Sequence, residues 1–419
     1  MYGLCDCNNF FVSCERVFNP SLNGKPVLVL SSNDGCVIAR SNEAKELGIK
    51  MGQPFFEIRE LVEKNRVNLF STNFSLYNDF SLRVMEVLRK YVPAIEVYSI
   101  DEAFFDLKGV DISILESFGK EIAAAVKKNI GIPVSIGIAP TKTLAKIASK
   151  LAKKYPKLEG CCIMYRFEDV EKVLKKIPVE DVWGIGRKLT KKLYSEGIKT
   201  AYDYTQLSSD WVKREMNVMG LRTWQELRGE ACIGIEEMPS DKQQIMVSRS
   251  FAKEIDNFDD MHAAISIFIS LAAEKLRKQK CCAGELNIFI FTNYYRKDKP
   301  QNYKIQFVRL DFPTDSTFEL IEQGMKALGK IYSNKYTYKR AGIILTGIIK
   351  KNCIQGTLFD TTDRSKHSEL MNVMDKINSD LGKGSVSVAS QGLSPVRITN
   401  KHLSPCYTTR WEEILRIKV

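Results

Sequence analysis

Histidine is nearly absent from this 419-residue chain: His262, His367 and His402 stand alone and far apart. Its eleven cysteines include no CxxC pair, since Cys161-Cys162 and Cys281-Cys282 are direct neighbours, and Cys5 and Cys7 alternate along a predicted strand. Neither zinc-ligand spacing nor the framework of a disulfide-stapled domain is present, so the cysteines are expected to be small buried hydrophobes in a reducing compartment. No apolar run approaches the roughly twenty residues of a membrane span, and the N-terminus lacks the basic-then-apolar pattern of a signal peptide. A cytoplasmic protein without membrane association is the expectation. Acidic residues are in deficit, with 50 Asp and Glu against 62 Lys and Arg, giving a net charge of +12 and a pI near 9.0. A basic surface favours nucleic acid or anionic lipid, and charge alone does not separate the two.

At this length a single core is excluded, and two to four domains are expected. Met1 to Asp6 predicts a buried strand ending in an acid, and Pro26 to Ser31 a second strand. Asn33-Asp34-Gly35 predicts a turn, ahead of a polar segment from Arg40 to Lys50. Apolar positions Phe80, Val84, Val87, Leu88 and Tyr91 recur at helical spacing until Pro93. Tyr98-Ser99-Ile100-Asp101-Glu102-Ala103-Phe104-Phe105 then predicts a strand, a tight turn and a strand, with two adjacent carboxylates at a sheet edge. Such a pair is an ordinary exposed hairpin turn, or two acids sharing a proton, or two acids sharing a divalent metal that could act on phosphate. A helix over 113–129 and a strand over 133–138 follow. The helix from Lys142 to Lys154 puts Lys142, Lys146 and Lys150 in a row, which fits an anion alongside as well as it fits a plain charged face.

Val182-Trp183-Gly184-Ile185-Gly186 precedes a helix from Arg187 to Glu196. Glycines spaced by one residue at a helix N-terminus let backbone N–H groups approach a phosphate, the helix-hairpin-helix pattern of sequence-independent DNA binding; a plain helix-helix connection is the alternative. Arg187, Lys188, Lys191 and Lys192 favour phosphate. Residues 245–348 then read strand, helix, strand, strand, helix, strand, a split βαβ layout with one four-stranded sheet and two helices. Residues 242–351 hold 19 Lys and Arg against 11 Asp and Glu, as suits a surface that tracks a nucleic-acid backbone. Gln355-Gly356-Thr357-Leu358-Phe359 has the form of an extended peptide that offers Leu358 and Phe359 to a partner's groove. A helix is predicted over 368–381.

Leu4-Cys5-Asp6-Cys7-Asn8-Asn9-Phe10-Phe11, the Tyr98 to Phe105 hairpin and Gly137-Ile138-Ala139-Pro140-Thr141-Lys142-Thr143-Leu144-Ala145-Lys146 together resemble the Y-family, or translesion, DNA polymerases. Ser32-Asn33-Asp34-Gly35-Cys36-Val37-Ile38-Ala39-Arg40, Asp181-Val182-Trp183-Gly184-Ile185-Gly186-Arg187 and Leu403-Ser404-Pro405-Cys406-Tyr407-Thr408-Thr409-Arg410 are similar to the bacterial UmuC type, the catalytic subunit of DNA polymerase V.

The resemblance implies an α/β (α+β) multidomain right-hand polymerase. Palm and fingers would occupy 1–178, a small helix-hairpin-helix thumb 179–240 with Gly184, Gly186, Arg187 and Lys188 on DNA, a split βαβ little finger 241–350, and a clamp- and partner-binding region 351–419. It also implies that Asp6, Asp101, Glu102 and the Cys7 carbonyl hold two Mg2+ ions, and that Lys45, Lys146 and Arg40 meet the triphosphate of a dNTP. Phe11 would be the steric gate against a ribose 2'-hydroxyl, where tyrosine is frequent in the family. Asn42 stands where many relatives carry a tyrosine, so that contact is not carried over. Primer-template DNA, a sliding clamp docked on Gln355 to Phe359, a cleaved UmuD-like protein and RecA are the implied partners. Two other readings compete: a non-catalytic DNA- and clamp-bound scaffold, which would bind DNA without incorporating nucleotides, and a palm-fold nucleotide cyclase, which would have no use for the DNA-binding modules.

Overall fold

In the computed structural model, residues 1–238, 240–355, 363–382, 384–392 and 400–415 are described. The chain divides into two compact units, Met1–Pro239 with Asn400–Val419, and Ser240–Thr399. Residues 351–419, expected as one C-terminal region, are thus shared between the units.

The first unit contains strands β1 (Tyr2–Cys7), β2 (Val27–Leu30), β3 (Val37–Arg40), β4 (Asn68–Ser71), β5 (Ile95–Val97), β6 (Glu102–Asp106), β7 (Val134–Ala139) and β8 (Cys161–Ile163). Five of them form a sheet in the order β5-β6-β1-β7-β8, and β3-β2-β4 form a smaller one. Leu4, Cys5, Ile136 and Ile138 are fully buried, because β1 and β7 are interior strands covered by helices on both faces. One glycine decides how close a covering helix comes. A Cβ on Gly137 would lie 2.1 Å from the Ala145 carbonyl oxygen and 2.2 Å from the Ser149 nitrogen. Its absence lets the helix Lys142–Lys154 rest backbone to backbone on β7, which brings that helix's lysines over the end of β1. Thr141 caps this helix by accepting from the Leu144 N–H at 3.3 Å.

The second unit contains β9 (Ile245–Ile255), β10 (Cys281–Thr292), β11 (Tyr303–Thr314) and β12 (Tyr338–Lys350), paired antiparallel in the order β11-β10-β12-β9. Helices Phe258–Lys278 and Thr317–Ile331 bury Ile265, Ile269, Leu320 and Leu328 against Leu286, Ile288 and Ile343. This is the split βαβ layout expected from periodicity; the strands extend beyond their apolar cores because pairing continues into the polar ends. Glu254 at the end of β9 accepts from Lys299 at 2.9 Å, Thr337 at 2.7 Å and Asn293 at 3.3 Å, and these bonds, Lys299 first, hold its carboxyl down to about 2. The carboxylate stabilises the fold above its ordinary range near pH 4.5, and that contribution is lost as the pH falls through about 2. Glu254→Gln is therefore expected to lower the melting temperature of this unit at pH 7, with the difference from the parent shrinking progressively below about pH 4.5. A difference that stays constant from pH 7 to pH 3 would contradict the assignment.

Candidate active site

The strand, turn and strand are present, with the first arm earlier in the chain than the motif: β5 pairs antiparallel with β6, and residues 98–101 connect them. β6 runs between β5 and β1, so Asp101 and Glu102 stand at the N-terminal end of an interior strand. Ser99 shapes the turn by accepting from the N–H groups of Asp101 (3.2 Å) and Glu102 (3.0 Å) and donating its hydroxyl to the Asp101 carboxylate (2.7 Å). Asp6 lies directly opposite Glu102 in the β1–β6 ladder, and the next residue, Cys7, donates its N–H to the Asp101 carbonyl at 2.9 Å. Three acids from two separate stretches thus share one strand end. The hydrogen bond with Cys5, and then burial, push the Cys7 thiol well up, so this cysteine stays a thiol and offers only its carbonyl.

Four of the five lysines of the neighbouring helix each have an acid. Lys142 is buried against Glu96, Lys146 touches both Glu102 oxygens at 3.1 Å, Lys150 meets Asp181 at 2.8 Å, and Lys153 meets Asp6 at 2.7 Å. The predicted row is real, and protein carboxylates compensate it. The Lys146 ammonium is further confined by the rings of Tyr98 at 4.5 Å and Trp183 at 5.3 Å, and the Trp183 indole donates to the Tyr98 hydroxyl at 3.0 Å. Burial pushes the Glu102 carboxyl up, Lys146 pulls it back, and the charges of Asp6 and Asp101 push it up again. The sum is upward, as expected of acids that crowd one another in partial shelter from water.

Two adjoining cavities of about 340 and 310 Å³ share Asp6, Glu102 and Lys153 in their walls. The second is also lined by Phe11, Arg40, Lys45 and Asp101. Lys45 donates to Asn9 at 2.7 Å and to Asn42 at 2.9 Å, so Asn42 holds a cation of the site. Lys45 is exposed overall, yet desolvation of its ammonium, followed by the charges of Lys153 and Arg40, pulls its pKa down. Arg40 donates to the Ile49 carbonyl, and its buried Nε has no partner among the described residues. Three cations press on one another here, an arrangement that an anion would relieve. Lys153 was not among the candidates drawn from sequence. Its spacing of seven from Lys146, two helical turns on one face, is the signal that could have found it.

Phe11 follows Asn9, whose left-handed backbone (φ 47°) starts the helix Phe10–Phe18, and its ring stacks on Tyr77 at 4.4 Å with the edge of Phe74 at 6.2 Å. Gly184 adopts φ +89°, and a Cβ on Gly186 would meet nothing within 4 Å, leaving the N-terminus of the helix Arg187–Ser195 open. Arg187 and Lys188 are exposed there and make no ion pair among the described residues. Of the peptide at 355–359, Gln355 is exposed, while Leu358 and Phe359 lie outside the described residues.

Residues 5–150 match the impB/mucB/samB family, residues 168–198 the IMS family HHH motif, residues 242–358 the impB/mucB/samB family C-terminal domain, and residues 368–417 a domain of unknown function, DUF4113. The chain is 42% identical to the protein UmuC of Salmonella typhimurium over the full length of both, and 41% identical to the protein ImpB of the same organism over 99% of both. The chain belongs to the UmuC type of the Y-family DNA polymerases. DNA polymerase IV 1 of Bacillus subtilis is a more distant relative, 29% identical over 90% of this chain and 89% of its own. Among solved structures, the Y-family DNA polymerase chimera Dbh-Dpo4(243-245)-Dbh matches with a TM-score of 0.67 at 20% identity, covering 83% of this chain and 99% of its own. A ternary complex of Dbh DNA polymerase matches with a TM-score of 0.56. The fold is therefore that of a right-hand polymerase with palm, fingers, helical thumb and split βαβ little finger, and this UmuC-type polymerase is a DNA-directed DNA polymerase of the translesion class. Membership also implies dependence on a divalent metal.

The residues at the strand end suit such a metal chemically: three carboxylates and a carbonyl, all oxygen donors. Among the described residues no three His, Cys, Asp or Glu side chains are gathered tightly enough to enclose an ion, and Asp6 and Glu102 are each engaged by a lysine.

Proposed function

We propose that this polymerase joins a dNTP to a primer 3'-hydroxyl at the end of β1 and β6, with Asp6, Asp101, Glu102 and the Cys7 carbonyl as the ligands of two Mg2+ ions. The observation that carries this reading is the convergence of those acids with Arg40, Lys45 and Lys153 on a single cleft. When bound, the metal would activate the primer hydroxyl and neutralise the leaving pyrophosphate. The chain's own groups do the rest. Lys45 and Lys153, with Arg40 behind them, hold the triphosphate, Lys146 balances Glu102, and the ring of Phe11 walls off the sugar. In this scheme Lys146 and Lys153 are the counter-ions of Glu102 and Asp6, and with those carboxylates holding metal the two ammonium groups would be free to turn to other anions. Lys153 would then reach phosphate.

Palm and fingers are assigned to 1–178, thumb to 179–240, little finger to 241–350 and a partner-binding region to 351–419. The open helix N-terminus at Gly184 and Gly186, with Arg187 and Lys188, would grip the DNA backbone. Among the described residues no helix is long and apolar enough to cross a membrane. Primer extension on a lesion-bearing template with Mg2+, alone and with a cleaved UmuD-like protein and RecA, is the test. Nucleotide addition opposite and beyond the lesion is expected. DNA binding with no incorporation under any metal or partner would leave the scaffold reading standing.

Gln355 to Phe359 is proposed as the sliding-clamp peptide. Replacing Leu358 and Phe359 together by Ala is expected to abolish clamp pull-down while clamp-free primer extension stays within about twofold of the parent, since apolar anchors dominate such docking. Undiminished pull-down would place clamp binding elsewhere.

A further inference from the structure

The segment within the domain of unknown function returns to the first unit and reaches the polymerase's sugar wall through buried groups. His402 and Ser71 exchange backbone contacts at the end of β4: the Ser71 N–H donates to the His402 carbonyl and the His402 N–H to the Ser71 hydroxyl, each at 2.9 Å. Asn73 donates to the Ser404 carbonyl at 3.0 Å and the Pro405 carbonyl at 3.2 Å, and Tyr407 stacks on Phe18 at 4.4 Å. Between these anchors the Ser404 hydroxyl donates to Glu15 Oε1 at 2.9 Å. The same oxygen accepts from the Tyr77 hydroxyl at 2.7 Å. The Tyr77 ring, fully buried, is the surface on which Phe11 lies nearly parallel, 14° from coplanar.

We infer that the segment Lys401–Tyr407 is a strap that positions Phe11, acting through Ser404, Glu15 and Tyr77, and so sets how strictly the polymerase excludes ribonucleotides. The inference rests on the reading of Phe11 as the sugar wall and names what fixes it. Glu15 is only 2% exposed, and a carboxylate so placed depends on its few donors. Among the described residues its side-chain donors are Tyr77, under the Phe11 ring, and Ser404, on the strap. Burial pushes the Glu15 carboxyl up while those two bonds pull it down, with burial prevailing. Without the Ser404 hydroxyl, Glu15 must seek another donor or a proton, and the hydroxyl of Tyr77 follows it. A packed core passes such a shift to the next ring, and exclusion of one hydroxyl from a sugar pocket depends on fractions of an ångström. Ser404 and Glu15 touch no substrate in this scheme; they are positioning residues.

The experiment compares kcat/KM for a ribonucleotide and its matching deoxynucleotide within one preparation of each full-length variant, so that any inactive fraction cancels in the ratio. Phe11→Ala is expected to raise the ribonucleotide-to-deoxynucleotide ratio about tenfold or more. Ser404→Ala and Tyr77→Phe are each expected to raise it about threefold or more, the effect of one lost hydrogen bond, and Ser404→Thr, which keeps the hydroxyl, to stay within about twofold of the parent. A raised ratio in Phe11→Ala with parental ratios in Ser404→Ala and Tyr77→Phe would overturn the strap while leaving the wall intact. An unchanged ratio in Phe11→Ala would overturn the reading of Phe11 itself, and the strap with it.

Discussion

Asp101→Ala is expected to reduce nucleotide incorporation about a thousandfold or more while leaving the fold and primer-template binding unchanged. Of the three acids Asp101 gives the cleanest test. Asp6 and Glu102 are each the counter-ion of a lysine, so removing either would release Lys153 or Lys146 into the cleft and mix two effects. The Asp101 carboxylate is held by the Ser99 hydroxyl, and its structural contribution to β1 is the backbone carbonyl that accepts from Cys7, which alanine retains. The loss should fall on kcat at saturating dNTP, with Kd for DNA in the absence of dNTP within about twofold of the parent. Incorporation at the parental rate would remove the metal assignment.

The second large effect is on stability. Lys142 is 1% exposed, with its ammonium against Glu96 and 4.9 Å from the centre of the Phe104 ring, and the same Glu96 oxygen accepts from the Glu236 N–H at 2.7 Å. Glu96→Ala would leave a buried ammonium without its carboxylate, and breaking such a pair from one side costs about 3 to 5 kcal/mol. Thermal or denaturant unfolding of the first unit should show this loss. Adding Lys142→Met should recover most of it, because an apolar chain of similar length needs no counter-ion. A loss under about 1 kcal/mol for Glu96→Ala, or no recovery in the double variant, would show that the pair is not the anchor of this helix.

Much of this was legible in the sequence because local pattern and tertiary need agree. The helix Lys142–Lys154 and the second unit's strands and helices follow the apolar spacing, and the motif order already placed the chain among the Y-family polymerases. The turn at Asp101 was legible too. The position of the hairpin's first arm was not, since β5 spans only Ile95–Val97, just before the motif, and carries little apolar signal of its own. Partner choice among charges was the least legible. Spacing shows that Lys142, Lys146, Lys150 and Lys153 share a helix face, but which acid each meets is set by how closely Gly137 admits that helix to the sheet. Glu15 and Tyr77 are further examples: a buried acid in a helix gives no hint in sequence of a donor 389 residues away.

In the proposed scheme Asp6 and Glu102 would give up Lys153 and Lys146, and Asp101 the Ser99 hydroxyl, to hold metal when substrate arrives. The direct measurement is a crystal structure of the chain with primer-template DNA, a non-hydrolysable dNTP and Mg2+. Metal density touching all three carboxylates and the Cys7 carbonyl is expected, with the Lys153 ammonium withdrawn from Asp6 and placed on the triphosphate. Metal bound away from these acids, or a bound dNTP with Lys153 still on Asp6 and Lys146 still on both Glu102 oxygens, would contradict the scheme.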